Sequence, residues 1–216
     1  MLKAIIFDID GVLLNSFEAN LKFFQTLLLF AGYKPPTSET FRKMFHMPMD
    51  QVIKKLIAPA DENEVQRIWL MGKNRAVPYP SELITVTDSC EKTLKILAKK
   101  YTLAIVTSRI KVGVFSLPQL ANLENLFQTA VCFEDTEKHK PEPEPLLLAC
   151  ERLQIRPSEA IYIGDAQTDM DAAKAAGMKA IAFTKDELLE ASATTHEFSE
   201  IPKLIEKKLK PILIHH

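Results

Sequence analysis

Residues 3–16 read KAIIFDIDGVLLNS. The apolar run Ala4 to Phe7 stops at Asp8, Asp10 follows two residues later, and after Gly11 the chain turns apolar again. A short, nearly continuous apolar run is the mark of a parallel strand buried on both faces. Two carboxylates at the end of such a strand are costly unless something compensates for their charge. The stretch therefore predicts a buried parallel strand and a functional feature at its carboxyl end.

The same pattern recurs along the chain. TLAIVT (102–107), TAVCF (129–133), AIYIGD (160–165) and KAIAF (179–183) read as further buried strands. Helical patterns lie between and after them at 88–100, 144–154, 168–176 and near 199–209, with Gly177 placed as a helix C-cap. Alternation of this kind predicts an α/β fold, a doubly wound Rossmann-like parallel sheet. Residues 17–77 break the alternation: four helical segments punctuated by Pro35-Pro36, Pro48 and Pro59, with no convincing strand. The expected organisation is a catalytic core of residues 1–16 and 79–216 with an inserted helical cap domain at 17–78.

Composition narrows the function classes. With 216 residues, 47% hydrophobic, 25% charged and a net charge of −1, this is an ordinary globular chain, with no general signature of a nucleic-acid or membrane binder. Its longest apolar stretch, around FFQTLLLFAGY (23–33), is too short and too polar to span a bilayer. Cys90, Cys132 and Cys150 are odd in number and widely spaced, which predicts free buried thiols rather than a disulfide framework or zinc site. No signal-peptide pattern is visible, so a cytoplasmic protein is expected, monomeric or homodimeric. His215 and His216 do not suggest a metal site.

The polar residues fall where the apolar runs end. Asp8 and Asp10 follow the first strand, Thr107-Ser108-Arg109 the second, Lys140 the third at some distance, and Asp165 the fourth, with Asp169 four residues on. In an open parallel sheet the carboxyl ends of the strands form the ligand crevice, so these groups are expected to converge. Crowded carboxylates raise one another's pKa, and a divalent cation removes that penalty. An all-oxygen donor set suits Mg2+, which often meets a phosphate. Lys140 and the Thr107 hydroxyl can hold phosphate oxygens, as can backbone N–H groups at the Gly11 turn. An aspartate in such a site can attack phosphorus. Asp10, on the same side of an extended segment as Asp8, can serve as acid and base.

FDIDGVLLNS, IVTSR, KPEPEP and YIGDAQTDMDAAKAAG, in this order, resemble the four signature motifs of the haloacid dehalogenase superfamily. The insertion after the first motif resembles the cap of its phosphoglycolate-phosphatase-like and β-phosphoglucomutase-like members. The resemblance implies Asp8 as nucleophile and Mg2+ ligand, and Asp10 as acid/base and, through its carbonyl, a ligand. It implies Thr107, with Ser108 beside it, as the phosphate-binding hydroxyl, and Lys140 as the neutralising lysine. Asp165 becomes the metal-binding acid, supported by Asp169 as a ligand or through a hydrogen bond behind it. Dehalogenases of the superfamily lack an aspartate at the position of Asp10, so a phosphoryl-transfer enzyme is implied. Many relatives read DGTLxDS, and Asn15 stands here where they have an aspartate.

The implied activity is a Mg2+-dependent phosphatase acting on a small phosphorylated metabolite: phosphoglycolate first, pyrophosphate or a sugar phosphate next. A β-phosphoglucomutase-like mutase, a phosphonoacetaldehyde hydrolase-like enzyme and a phospho-accepting signalling domain are the alternatives. Arg109 is a candidate for a substrate carboxylate, and Arg42, Lys43 and His46 for reading an anionic substrate from the cap. Asp135 and Glu134 are weighed equally as acids near the metal and as surface loop residues. The cap's apolar runs, including Trp69, read as helical core rather than as a ligand site.

Overall fold

A computed structural model describes residues 1–114 and 116–209; His215 and His216 lie outside the described residues. Six strands form one parallel sheet: β1 (Ala4–Phe7), β4 (Thr102–Val106), β5 (Phe127–Val131), β6 (Ala160–Gly164), β7 (Lys179–Phe183) and β8 (Ala193–Thr195). Their spatial order is β5-β4-β1-β6-β7-β8. β1 sits centrally, with Phe7 opposite Ile105 of β4 on one side and Ile163 of β6 on the other. The third strand begins at Phe127, two residues before the predicted start, and β8 was not foreseen. β8 is three residues at the sheet edge, too short for a hydrophobic period to announce it.

Alternate side chains explain the double-sided burial. Ile5, Phe7, Leu103, Ile105, Ile161 and Ile163 face one apolar layer, packed against Leu94 and Leu97 of α5 (Cys90–Leu97) and against Phe198 and Ile201. Ala4, Ile6, Ala104, Val106 and Tyr162 face the other, against α7 (Glu144–Leu153) and α8 (Gln167–Ala175). On this second face many contacts are alanines, including Ala172 and Ala173 of α8, which lets the helix lie close to the sheet. Gly177 terminates α8 with a φ of +71°, as its C-cap position demands. The three cysteines are buried free thiols.

Four helices leave the sheet after β1: α1 (Phe17–Phe30), α2 (Ser38–Arg42), α3 (Met49–Leu56) and α4 (Glu62–Lys73). They share a separate apolar cluster that includes Phe24, Leu27, Phe41, Ile53 and Ile68. Thr37 caps α2 by accepting the Thr40 N–H at 3.1 Å, and Asp61 caps α4 by accepting that of Glu64 at 2.8 Å. A small antiparallel pair, β2 (Leu14–Asn15) with β3 (Thr85–Val86), brackets the insertion. Asn15 lies here, its amide donating to Thr85 Oγ1 at 3.4 Å on the exposed surface. A short helix, α6 (Pro118–Ala121), follows β4, and α9 (Ile201–Leu204) closes the core beneath α5. Among the described residues, no helix is long and apolar enough to cross a membrane.

Candidate active site

The carboxyl ends of β1, β4 and β6 converge, as the crevice rule requires. Asp8 ends β1 and is buried. One carboxylate oxygen accepts the N–H of Ile9 at 2.7 Å, and the other accepts Lys140 Nζ at 2.8 Å. Lys140, also buried, donates further to Asp169 Oδ1 at 2.6 Å and to the Tyr162 hydroxyl at 2.9 Å. All three ammonium protons are thus placed. Burial and the charges of Asp169 and Asp165 push the Asp8 carboxyl up to about 7 against the pull of Lys140. Burial works against the Lys140 ammonium, but Asp169 and Asp8 hold its pKa above the ordinary range.

Asp8, Asp165 and Asp169 each offer a carboxylate oxygen, all within 4.8 Å of one another. Asp165 keeps one oxygen buried without a hydrogen-bond partner. Burial raises its pKa, partly offset by His46. An orphaned, buried carboxylate oxygen beside two more carboxylates fits a hard divalent cation. Asp169 is differently disposed. Its Oδ1 takes Lys140 and the Tyr162 hydroxyl, and its Oδ2 accepts the N–H groups of Asp165 and Ala166, both at 3.1 Å. These contacts fix Lys140 and Asp165 and leave Asp169 more engaged than Asp165, whose one oxygen has no partner.

Two glycines admit these carboxylates. Gly11 has a φ of +77°, and a Cβ there would stand 1.8 Å from Asp165 Oδ2. A Cβ on Gly164 would stand 2.4 Å from the Asp169 side chain. The Gly11 N–H is spent within the turn, donating to Leu14 O at 2.9 Å, so the expected phosphate contact through Gly11 is not formed by that group. Its place in the site is steric.

Regular strand ends at Phe7, and Asp10 lies beyond it, lining the same cavity as Asp8. Arg109 grips it in a bidentate pair, Nε to Oδ2 and Nη2 to Oδ1, each 2.6 Å. Ser16 Oγ also donates to Asp10 Oδ1, as does Asn20 Nδ2 at 3.2 Å. Burial would raise the Asp10 carboxyl, but Arg109 and these donors bring it below the usual range. Arg109 further donates to Gly113 O at 3.1 Å and the Tyr79 hydroxyl at 2.9 Å. Of the two readings open for Arg109, a substrate-carboxylate contact or a structural arginine, the pair with Asp10 is of the structural kind.

Thr107 and Ser108 follow β4; with Asp8, Asp10 and Arg109 they line a cavity of about 150 Å³ under the inserted helices. Thr107 is buried, and its hydroxyl accepts the Arg109 N–H at 3.2 Å. His46 comes from the insertion, lines the same cavity and places Nδ1 3.6 Å from Asp165 Oδ2. Burial lowers its pKa, but Asp165 more than compensates, so the net shift is upward. Arg42 is not brought to the site: its guanidinium lies 4.3 Å above the Phe17 ring. Lys43 pairs with Glu39 on the surface. Asp135 is likewise elsewhere, bridging Lys111 and Arg152 at 2.8 Å each, and Glu134 accepts the Lys111 N–H. These two acids pin the loop after β4 to the end of β5.

Sequence reasoning missed Tyr162, Ser16, Asn20 and Tyr79. Tyr162 was detectable as the one hydroxyl in an otherwise apolar buried strand, since such a group needs a partner. Ser16 and Asn20 stand four apart, on one face at the start of α1. The apolar side chains of the insertion also do more than predicted: Phe23, Phe45 and Trp69 line the cavity.

An α/β sheet with a buried aspartate, a lysine and a cation-ready acidic cluster at its carboxyl edge defines a class of hydrolase. The sequence pattern of the haloacid dehalogenase-like hydrolases matches residues 5–183, and the chain belongs to that family. It is 32% identical over 182 residues to the putative pyrophosphatase PpaX of Clostridium perfringens, covering 83% of this chain and 82% of that protein. The putative phosphoglycolate phosphatase of Lactobacillus plantarum shares the fold, with a TM-score of 0.82 at 23% identity over 94% of this chain and 99% of that one. So does CbbY of Rhodobacter sphaeroides, solved with phosphate, with a TM-score of 0.78 at 22% identity over 93% and 96%.

Proposed function

We propose that this hydrolase is a Mg2+-dependent phosphatase that cleaves a small phosphorylated compound through an aspartyl-phosphate on Asp8. The observation that carries the reading is the setting of Asp8: a buried carboxylate between the Lys140 ammonium and two further acids, at the wall of a cavity. Relatives named for pyrophosphate and phosphoglycolate hydrolysis agree with it.

Asp8, Asp165 and the Asp10 carbonyl would hold the cation, with Asp169 behind them. Bound there, Mg2+ would neutralise crowded carboxylates and phosphate oxygens. Lys140 and Thr107 orient the phosphoryl group. Asp8 forms a new O–P bond as the ester O–P bond breaks, and the departing oxygen takes a proton from Asp10. Asp10 then removes a proton from water, whose oxygen attacks phosphorus and frees Asp8 and inorganic phosphate. Such acid–base help is worth about 10²–10⁴-fold.

Residues 17–78 form the cap in this reading, with the β2–β3 pair as its hinge, over a core of 1–16 and 79–216. Closure keeps bulk water from the aspartyl-phosphate. A phosphate-release screen over phosphomonoesters and pyrophosphate, with Mg2+ and with EDTA, tests the proposal. Turnover that needs Mg2+ supports it; no release from any compound, or release indifferent to EDTA, overturns it.

A further inference from the structure

We infer that the leaving group this site accepts is an uncharged aromatic alcohol, so that the substrate is an arylmethyl-type phosphomonoester rather than pyrophosphate or phosphoglycolate. The inference rests on the phosphatase reading above and narrows its substrate.

Beyond Asp8 and Thr107, rings and thioethers form one part of the cavity wall, Phe23, Phe45, Met47, Met49, Trp69 and Phe133, beside polar groups such as Asn20, Lys73 and Arg75. The rings and thioethers come from α1, α3, α4, the loop before α3 and the segment after β5, so the apolar lining belongs to cap and core together. The Trp69 and Phe133 rings face each other across that boundary, 6.2 Å between centroids. The volume, about 150 Å³, is that of an apolar protein cavity able to take up benzene. Flat rings and polarisable sulfurs are the partners an aromatic ring prefers.

Among the described residues, four basic side chains line the cavity; two of them face an acid of the protein and two contact neutral groups. Arg109 is closed on Asp10. Arg75 donates to Val112 O at 3.1 Å and Ser116 Oγ at 2.7 Å. Lys73 lies 4.8 Å over the Trp69 ring, and His46 faces Asp165. Among the described lining side chains, the buried polar atom left without a partner is the Trp69 indole nitrogen, a neutral donor. A carboxylate or second phosphoryl group set among the rings and thioethers loses hydration that those groups do not replace. An aromatic ring gains by leaving water.

The chemistry is unchanged: the arylmethyl C–O bond stays intact, the O–P bond breaks, and the products are the alcohol and inorganic phosphate. The test compares kcat/KM for benzyl phosphate, ethyl phosphate, phosphoglycolate and pyrophosphate with Mg2+. Benzyl and ethyl phosphate have leaving alcohols of similar acidity, so their ratio reports the pocket. Benzyl phosphate is expected to exceed each of the others by at least about tenfold. Phe45→Ala and Trp69→Leu, checked for folding by thermal melts, are expected to bring the benzyl-to-ethyl ratio toward one. A wild-type ratio near one, or faster hydrolysis of pyrophosphate or phosphoglycolate, overturns the inference while leaving the phosphatase reading intact. An unchanged ratio in both folded variants also overturns it. No hydrolysis of any of the four, or of the wider screen, overturns the phosphatase reading itself and this inference with it.

Discussion

Arg109 closes Nε and Nη2 on the two carboxylate oxygens of Asp10, at 2.6 Å each, in a pocket that both residues line. The pair favours the ionised form of Asp10 and occupies both of its oxygens. To protonate a leaving oxygen, Asp10 must part from Arg109 and gain a proton. Burial alone would raise the Asp10 carboxyl, and Arg109 is the chief opposing group. Replacing Arg109 by alanine should therefore raise the Asp10 pKa and keep the acid form available to higher pH. The expected result is an alkaline limb of the kcat/KM profile displaced upward in Arg109→Ala. A limb that stays in place would separate Arg109 from the acid step.

Without a divalent cation, Asp8 carries its pKa of about 7 against an ordinary 3.8, because it is buried and faces Asp169 and Asp165. Between those pH values the folded protein keeps a proton that the unfolded chain has lost. The folded state binds more protons there, so its stability falls as pH rises from about 4 to about 7. EDTA-treated protein should show this slope in its melting temperature. Mg2+ should flatten it, and so should Asp8→Asn in EDTA. A metal-free Tm that rises through this window would contradict the assigned burial of three acids around one lysine.

Lys140 sits inside that acidic cluster, hydrogen-bonded to Asp8, Asp169 and Tyr162. Lys140→Ala leaves buried carboxylates without their counter-charge, and removal of one partner from a buried pair costs about 3–5 kcal/mol. Tyr162→Phe removes one hydrogen-bonding hydroxyl and should cost about 1 kcal/mol. Urea denaturation of both variants in EDTA measures the difference. Equal, small losses would mean that the cluster is better solvated than its geometry states.

Gly11 and Gly113 both lie beside the site but differ in what a methyl group would meet. At Gly11 a Cβ falls 1.8 Å from an Asp165 oxygen and φ is +77°; at Gly113 the nearest atom is 3.7 Å away. Gly11→Ala must displace Asp165, and disturbance of groups supporting a metal site typically weakens binding about 10–100-fold. Mg2+ titration followed by calorimetry should show that loss in Gly11→Ala and little change in Gly113→Ala. Similar affinities in both would remove Asp165 from the proposed metal site.

The motif-bearing strand ends were readable because short, nearly continuous apolar runs mark buried parallel strands and polar groups follow them in the sequence. Asp8, Lys140, Asp165 and Asp169 duly meet, although 132 residues separate Asp8 from Lys140. The Arg109–Asp10 pair was hidden because its partners lie 99 residues apart, and no local pattern links a strand-end aspartate to an arginine beyond another strand. Arg42 was misplaced for a different reason: on a short helix, one residue of register decides whether a side chain points to the site or lies on Phe17. The Trp69 and Phe45 walls were invisible because a cap's apolar core and a cavity lining carry the same hydrophobic pattern. Only packing against Phe133 and the core loops tells them apart.

The role of Asp8 is the point on which the mechanism stands. Asn keeps the size and the hydrogen-bonding shape of Asp8 but removes the nucleophilic charge. Phosphate release by purified Asp8→Asn, shown by thermal melt to be folded and assayed with Mg2+ on the best substrate of the screen, should fall by at least about 10³-fold. Release within tenfold of the wild type would contradict attack by Asp8.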